Sequence, residues 1–276
     1  MKLRWRSAAV AAVGVAVLGL AIASASTPAG ASPVSTATAS PSAVGSCRVT
    51  AAHPFPVILV HGTFENSGMW SQFQPVLEQA GFCVSTIDYN SLQDMATSAR
   101  QLNTFVNRVL AASGGTKVDI VGHSQGGMMP RFFLKNLNGA ARTHSLIGLA
   151  PSNYGTTLSG LAVIGGPLVG LFCTSCAQQI QGSAFLNALN SPTDVVPGVN
   201  FTVIETNRDE VVTPFRNAFL KGAGATNLLI QNFCPADIAG HIALAQEDRN
   251  AWRLVLNALD PAHARPVVCV AEINPL

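Results

Sequence analysis

Charge is scarce in this chain of 276 residues: 16 Lys and Arg stand against 14 Asp and Glu, 11% of the whole, for a formal net charge of +2. Binding to nucleic acid depends on clustered Lys and Arg that displace condensed counterions. No such cluster is present, and no nucleic-acid partner is expected. A second long apolar run is missing as well. The best candidate beyond the N-terminus, Leu158 to Phe172, is shorter than the roughly 20 residues a bilayer requires and is interrupted by Gly165-Gly166-Pro167. No internal repeat is visible, which sets aside solenoids and propellers.

What is present begins with an export signal. Lys2, Arg4 and Arg6 precede an apolar run from Ala8 to Ile22 that ends among small residues, the layout of a secretory signal peptide. Ala23-Ser24-Ala25 and Ala29-Gly30-Ala31 offer two cleavage points, and the one after Ala31 is favoured. Residues 1–31 are therefore assigned to the signal peptide, and the mature chain to the extracellular space with no membrane span. Residues 32–46 are Ser, Thr, Ala and Pro with no apolar period, so a solvated, disordered tether is expected there. The remainder, 47–276, is about 230 residues, enough for a single domain with a sizeable core. A monomer is expected.

Six cysteines in an exported chain imply three disulfides, with fifteen pairings formally open. Cys173 and Cys176 are close enough to bridge locally. Cys47 stands at the start of the domain opposite Cys83, which begins a strand, and Cys234 with Cys269 would tie down the C-terminal segment. Closing a loop of some tens of residues contributes about 3 to 4 kcal/mol in the chain-entropy view, and the Cys173 to Cys176 loop much less. A redox or zinc role for Cys173-Thr-Ser-Cys176 is disfavoured, because no second Cys or His pair is spaced to complete a metal shell. No metal is expected.

Strand-like runs fall at Pro56 to Val60, Phe82 to Ile87, Lys117 to Val121, Ser145 to Leu149, Phe201 to Glu205 and Asn227 to Gln231. Helical periods separate most of them. Met95, Ala99, Leu102, Val106, Val109 and Leu110 form one apolar stripe that ends at Ser113-Gly114-Gly115, and a second helix is expected over Ile242 to Leu256. Such alternation predicts an α/β fold, a mostly parallel central sheet with helices on both faces and ligands at the carboxyl ends of the strands.

Gly122-His123-Ser124-Gln125-Gly126-Gly127 follows the apolar run Val118-Asp119-Ile120-Val121 and leads into Met128-Met129, with Pro130 in the first turns of the next helix. A β-branched strand running into Gly-x-Ser-x-Gly predicts a nucleophile elbow, the tight turn of the α/β-hydrolase fold that holds a serine Oγ at a sheet edge. A serine hydroxyl is a poor nucleophile near neutral pH and needs a histidine to take its proton and an acid to orient that histidine. On this fold the order is Ser, acid, His. His144 precedes any suitable acid and His263 lies in a Pro- and Ala-rich tail, which leaves His241, placed just before a helix. Asp209 follows the strand ending at Glu205 by a few residues. Glu210 is its rival; Asp194 and Asp237 are weaker ones, read as solvated loop carboxylates or caps. The oxyanion hole is expected from the N–H of Gln125 and from Thr63, which offers both its N–H and its hydroxyl. His61 is read as shaping its loop.

These residues resemble the class-two family of secreted actinobacterial lipases, itself similar to the fungal Candida antarctica lipase B. The matching runs are Val60-His61-Gly62-Thr63, Gly122 to Gly127, Leu149-Ala150-Pro151-Ser152-Asn153-Tyr154-Gly155-Thr156, Arg208-Asp209-Glu210-Val211-Val212-Thr213-Pro214 and Ile238-Ala239-Gly240-His241. The resemblance implies Ser124, Asp209 and His241 as a catalytic triad, Thr63 and Gln125 as the oxyanion hole, and cysteine pairs Cys47 with Cys83 and Cys234 with Cys269. It further implies a cofactor-free serine ester hydrolase of lipase or esterase type that forms an acyl-enzyme and meets its lipid or other ester substrate, transiently, at a lipid-water interface. Other readings are a cutinase-like or polyester hydrolase with a more open site, a transferase that uses an alcohol as acceptor, and a catalytically silent secreted binding protein. His123 stands where the fungal enzyme has tryptophan, and the chain stops near Asn274-Pro275-Leu276 without the fungal C-terminal extension. Alcohol selectivity and the cover of the site mouth are therefore not carried over. The run Leu158 to Phe172 is expected either to line an acyl pocket or to be ordinary core.

Overall fold

A computed structural model describes residues 42–165, 172–271 and 274. The expected signal peptide and most of the expected tether lie outside the described residues, as does the middle of the Leu158 to Phe172 run.

Six strands make one sheet: β1 (Val57–Val60), β2 (Val84–Ile87), β3 (Val118–His123), β4 (Thr143–Leu149), β5 (Asn200–Glu205) and β6 (Ala225–Leu229). Their spatial order is β2-β1-β3-β4-β5-β6, and every pairing is parallel. A parallel sheet needs crossover connections that lay helices over both faces, so its central strands are apolar on both sides. Val57-Ile58-Leu59-Val60 shows this directly, with all four residues buried. Ile58 and Val60 join Ile120, Leu146 and Val203 under the helices Met95–Ser113 and Pro130–Asn136. Val57 and Leu59 face the opposite layer with Val121, Ile147 and Ile204, covered by Phe73 and Leu77 of one helix and Trp252 and Val255 of another.

Local chemistry sets the ends of these elements. Asp94 caps the Met95–Ser113 helix by accepting the Thr97 N–H at 3.1 Å, and Gly114 closes it in the left-handed region at φ 80°. Cys47–Cys83, Cys173–Cys176 and Cys234–Cys269 are disulfide-bonded.

The structure departs from the sequence reading in three places. Residues 42–46, expected to be solvated tether, instead run along the β2 edge: Ala43 bridges Thr86 in antiparallel sense, Ser42 Oγ accepts the Asp88 N–H at 3.0 Å, and the Gly45 N–H donates to Ser85 Oγ at 3.0 Å. Such pairing needs only backbone and a hydroxyl, so a small, polar composition does not preclude it. The helix expected over Ile242 to Leu256 is two, His241–Gln246 and Arg249–Leu259, divided at Asp248. The helix after Ser124 is likewise divided, with Pro130 at the first position of its second piece.

Asp248 is fully buried and accepts the N–H groups of Asn250 and Ala251 at 2.7 and 3.1 Å. Its carboxylate starts the helix that carries Trp252 and Val255. Losing such a cap costs about 1 to 2 kcal/mol, so Asp248→Ala should lower the melting temperature by about 2 to 8 °C. Calorimetry checks this, and an unchanged transition would show that the cap does not hold this helix.

Candidate active site

The chain crosses from β1 to β2 on one side of the sheet and returns to β3 on the other, so the strand order reverses between β1 and β3. Loops leaving the carboxyl ends of two such strands diverge and open a crevice between them. Thr63 comes off β1 and Ser124 off β3, one on each side of this opening.

Ser124 sits at φ 53° and ψ −121°, a conformation that L-residues rarely adopt and that costs on the order of 1 to 3 kcal/mol. Its surroundings enforce it. The Ser124 N–H donates to the Leu149 carbonyl at 2.9 Å, and the Ser124 carbonyl accepts the Gly127 N–H at 3.0 Å. A Cβ at Gly122 would overlap the Gly126 carbonyl, and one at Gly126 would overlap the carbonyls of Val60 and His61. Both glycines are therefore steric requirements of the turn.

Asp209 lies in the loop after β5 with its side chain fully buried. Its Oδ1 accepts the N–H groups of Val211 and Val212 at 2.8 and 2.7 Å, while Oδ2 faces His241 Nδ1 at 2.8 Å. Three donors on one carboxylate fix it as the anion, and Nδ1 as the protonated nitrogen of the ring. Burial alone would push the His241 imidazole down; Asp209, with Glu65 and Glu210, reverses this and holds it above its usual value. Glu210 approaches from another side, its Oε2 accepting the His241 backbone N–H at 3.2 Å.

His123 links Ser124 to His241. Its ring lies 4.7 Å from the His241 ring, its Nε2 meets the His241 carbonyl oxygen at 3.0 Å, and Ser124 is the next residue in the chain. No hydrogen bond joins Ser124 Oγ to His241 Nε2 in the structure; in ligand-free enzymes such bonds are commonly long and tighten around the substrate. The other nitrogen of His123, Nδ1, faces Glu65 Oε2 at 2.8 Å, and that oxygen also accepts the Gly62 N–H at 2.6 Å. Both ring nitrogens thus face oxygen atoms. Burial alone would raise the Glu65 carboxyl, but the His123 ring, the Gly62 N–H and His241 hold it below its usual range.

With Thr63 on the β1 side of the crevice and Gln125 beside Ser124 on the β3 side, the backbone N–H groups of both residues have no acceptor among the described residues. Thr63 Oγ1 donates to Gln125 Oε1 at 2.7 Å and accepts from Gln179 Nε2 at 3.0 Å. The hydroxyl, expected to serve an oxyanion together with the N–H, is thus committed to a side chain in this state, and the two backbone groups are the donors left free. Gln179 is held in turn by Ser152 Oγ at 2.8 Å.

Other candidates fall elsewhere. Asp194 and Asp237 are not solvated: Asp194 takes the Tyr154 hydroxyl and the Lys221 and Gly222 N–H groups, and Asp237 takes the Ala239 N–H and Asn250 Nδ2. Both are buried anchors of loops. His144 pairs with Asp119 at the far end of the sheet, and His263 is exposed beside Asp260. His61 accepts the Tyr89 N–H at Nε2 and donates from Nδ1 to the Gly62 carbonyl, so it shapes the loop. Among the described residues no cluster of His, Cys, Asp and Glu is arranged to hold a metal ion. Sequence reasoning missed Glu65, Gln179 and Glu205, a buried carboxyl beside Asp209. For Glu65 a signal existed in its position three residues after Gly62, where a side chain folds back on its own loop; for the other two nothing local marks them.

A family model described as Lipase (class 2) matches residues 54–241. A triacylglycerol lipase of Burkholderia plantarii is 41% identical over 106 residues, 35% of this chain and 29% of that protein. Another, from Pseudarthrobacter phenanthrenivorans, is 41% identical over 91 residues, 30% of this chain and 28% of its own. The chain thus spans under a third of the length of these relatives. Among solved structures, Aspergillus fumigatus lipase B superposes with a TM-score of 0.65 at 24% identity, over 80% of this chain and 56% of that one. Bacillus licheniformis lipase BlEst2 in its mature form gives 0.61 at 19% identity, over 77% and 94%. At these identities the two structures speak to the α/β-hydrolase fold.

A base works only once it has lost its proton, so reactivity of Ser124 should rise with pH through a midpoint above the usual histidine value of about 6.5. Glu65 is one of the charges that hold His241 up. In Glu65→Gln the midpoint should move to lower pH, read as the rate at which a fluorophosphonate labels the protein. A midpoint that stays in place would remove Glu65 from the electrostatics of His241.

Proposed function

The chain belongs to the class 2 lipases, and from that premise we propose that it is a secreted serine carboxylic ester hydrolase of lipase or esterase type, acting on acylglycerol-type esters through an acyl-enzyme. The observation that carries this reading is the buried Asp209–His241 contact of 2.8 Å at the sheet edge where Ser124 is held in a strained turn.

Ser124 Oγ attacks the ester carbonyl carbon while His241 Nε2 takes the hydroxyl proton, and Asp209 stabilises the imidazolium that results. The carbonyl oxygen becomes negative between the N–H groups of Thr63 and Gln125, two donors that have no acceptor among the described residues. Collapse of this adduct breaks the bond to the leaving alcohol, which receives its proton from His241. Water then enters, loses a proton to His241 and attacks the acyl-serine. The acid departs and Ser124 regains its hydrogen.

An apolar acyl chain suits the surroundings. Phe64, directly after Thr63, is 44% exposed, and Ile238, three residues before His241, is 36% exposed. Three disulfides and a leader of export type support action outside the cell. The signal peptide over 1–31, a single catalytic domain from residue 47 onward and a monomeric state belong to the same proposal.

Ser124→Ala should reduce turnover of a soluble aryl ester by several orders of magnitude, on the order of a million-fold where the nucleophile of such a triad is removed. Asp209→Asn should lose about 10⁴-fold, whereas Glu210→Gln should lose far less, since Glu210 meets only the His241 backbone. Near-normal hydrolysis by Ser124→Ala would falsify the assignment. Equal losses in the two acid variants would leave Asp209 without a distinct role.

A further inference from the structure

Glu205 ends β5, four residues before Asp209, and is fully buried. One of its oxygens, Oε1, accepts the Thr206 N–H at 2.7 Å, while Oε2 is buried without any donor. An orphaned carboxylate oxygen in the interior is expensive. The Asp209 carboxyl, four residues on and likewise fully buried, acts on it through charge and side-chain hydrogen bonding, and together with burial this pushes the Glu205 carboxyl well up. Two carboxylates cannot share a contact unless one carries a proton. The donors decide which one: Asp209 receives three, from Val211, Val212 and His241, whereas Glu205 receives one.

We propose that Glu205 is a positioning residue: held as a neutral acid, it donates its proton to the Asp209 carboxylate and so fixes the orientation in which Asp209 meets His241. This inference rests on the triad reading for its catalytic consequence, but not for the location of the proton. The titratable groups that face Glu205 are Asp209 and Glu210 on the loop it leads into, with His241 beyond Asp209; burial is the largest cause that pushes its carboxyl up, and the Asp209 charge adds to it. With the O–H in place, the Asp209 carboxylate gains a fourth donor, supplied from the end of β5. Without the proton, the contact becomes a repulsion between two buried anions, directed at the group that orients the base.

The sign for stability follows. The folded chain keeps a proton on Glu205 that the unfolded chain releases above about pH 4.3, so folding is fully supported below that value and loses stability as pH rises toward the raised folded value. Glu205→Gln keeps a donor, its amide N–H, and removes the titration.

The test compares the wild type, Glu205→Gln and Glu205→Leu as full-length secreted protein. Melting temperatures are measured from about pH 5 upward, where linkage should make the Gln variant gain on the wild type as pH rises toward the raised folded value. A difference that does not change with pH overturns the neutral acid. In turnover of a soluble ester, Glu205→Leu should lose kcat by about 100-fold, the scale of a misplaced catalytic group, with little change in KM. Glu205→Gln should recover at least a tenfold part of that loss. A folded Leu variant with full kcat, or a Gln variant no better than Leu, overturns the positioning role. If Leu fails to fold, the melting series of the Gln variant decides. Should the wild type hydrolyse no ester, the proposed function falls while the melting series still locates the proton.

Discussion

A charged carboxylate kept inside the protein at Asp209 is the constraint from which the rest of the site follows. An ionised group in the interior is tolerable only when hydrogen bonds replace the water it has lost. The loop after β5 turns back so that the Val211 and Val212 N–H groups meet one oxygen, and the start of the His241–Gln246 helix brings an imidazole to the other. What serves the buried charge also fixes the base: Nδ1 must hold a proton to satisfy Oδ2, which leaves Nε2 as the nitrogen with a lone pair. Tautomer, ring orientation and basicity thus follow from one electrostatic requirement, and Glu65 and Glu210 add to it.

The sheet makes this arrangement possible by geometry alone. Six parallel strands end at one edge, and the loops that leave them can only meet there. At the reversal between β1 and β3 the loops that carry Thr63 and Ser124 diverge, so groups from both strands border one crevice. The strain at Ser124 is supported by its neighbours: the bond to the Leu149 carbonyl belongs to the sheet, and the close approach of Gly126 to the backbone of β1 leaves the turn no other course.

Much of this was legible in the sequence because it rests on local rules. The elbow is written within six residues, since the turn demands small residues at fixed offsets from the serine. All six strands were found near their places because buried parallel strands are runs of branched apolar residues; β6, half exposed at the edge, was displaced by about two residues toward its apolar end. The sequence reading prefers Asp209 to Glu210 because adjacent side chains are expected to point apart; in the structure Asp209 meets the His241 ring and Glu210 the His241 backbone N–H. The remainder was hidden for a common reason. Glu65, Gln179 and Glu205 act through partners contributed by other segments: Gln179 and Thr63 are 116 residues apart. Glu205 is a polar residue at the end of an apolar strand, indistinguishable from a solvated strand terminus until burial is known. The break at Asp248 escaped because the apolar period runs across it.

The antiparallel contact of Ala43 with Thr86 lies on a sheet that is otherwise wholly parallel, and it covers the outer rim of β2. An uncovered strand rim is a template on which other chains can grow. Cys47, bonded to Cys83 at the foot of the same strand, holds the covering segment close. Trimming by a protease inside 42–46 would leave Ser124 and its neighbours untouched while exposing that rim, so such a shortened molecule would keep its chemistry and lose its colloidal solubility.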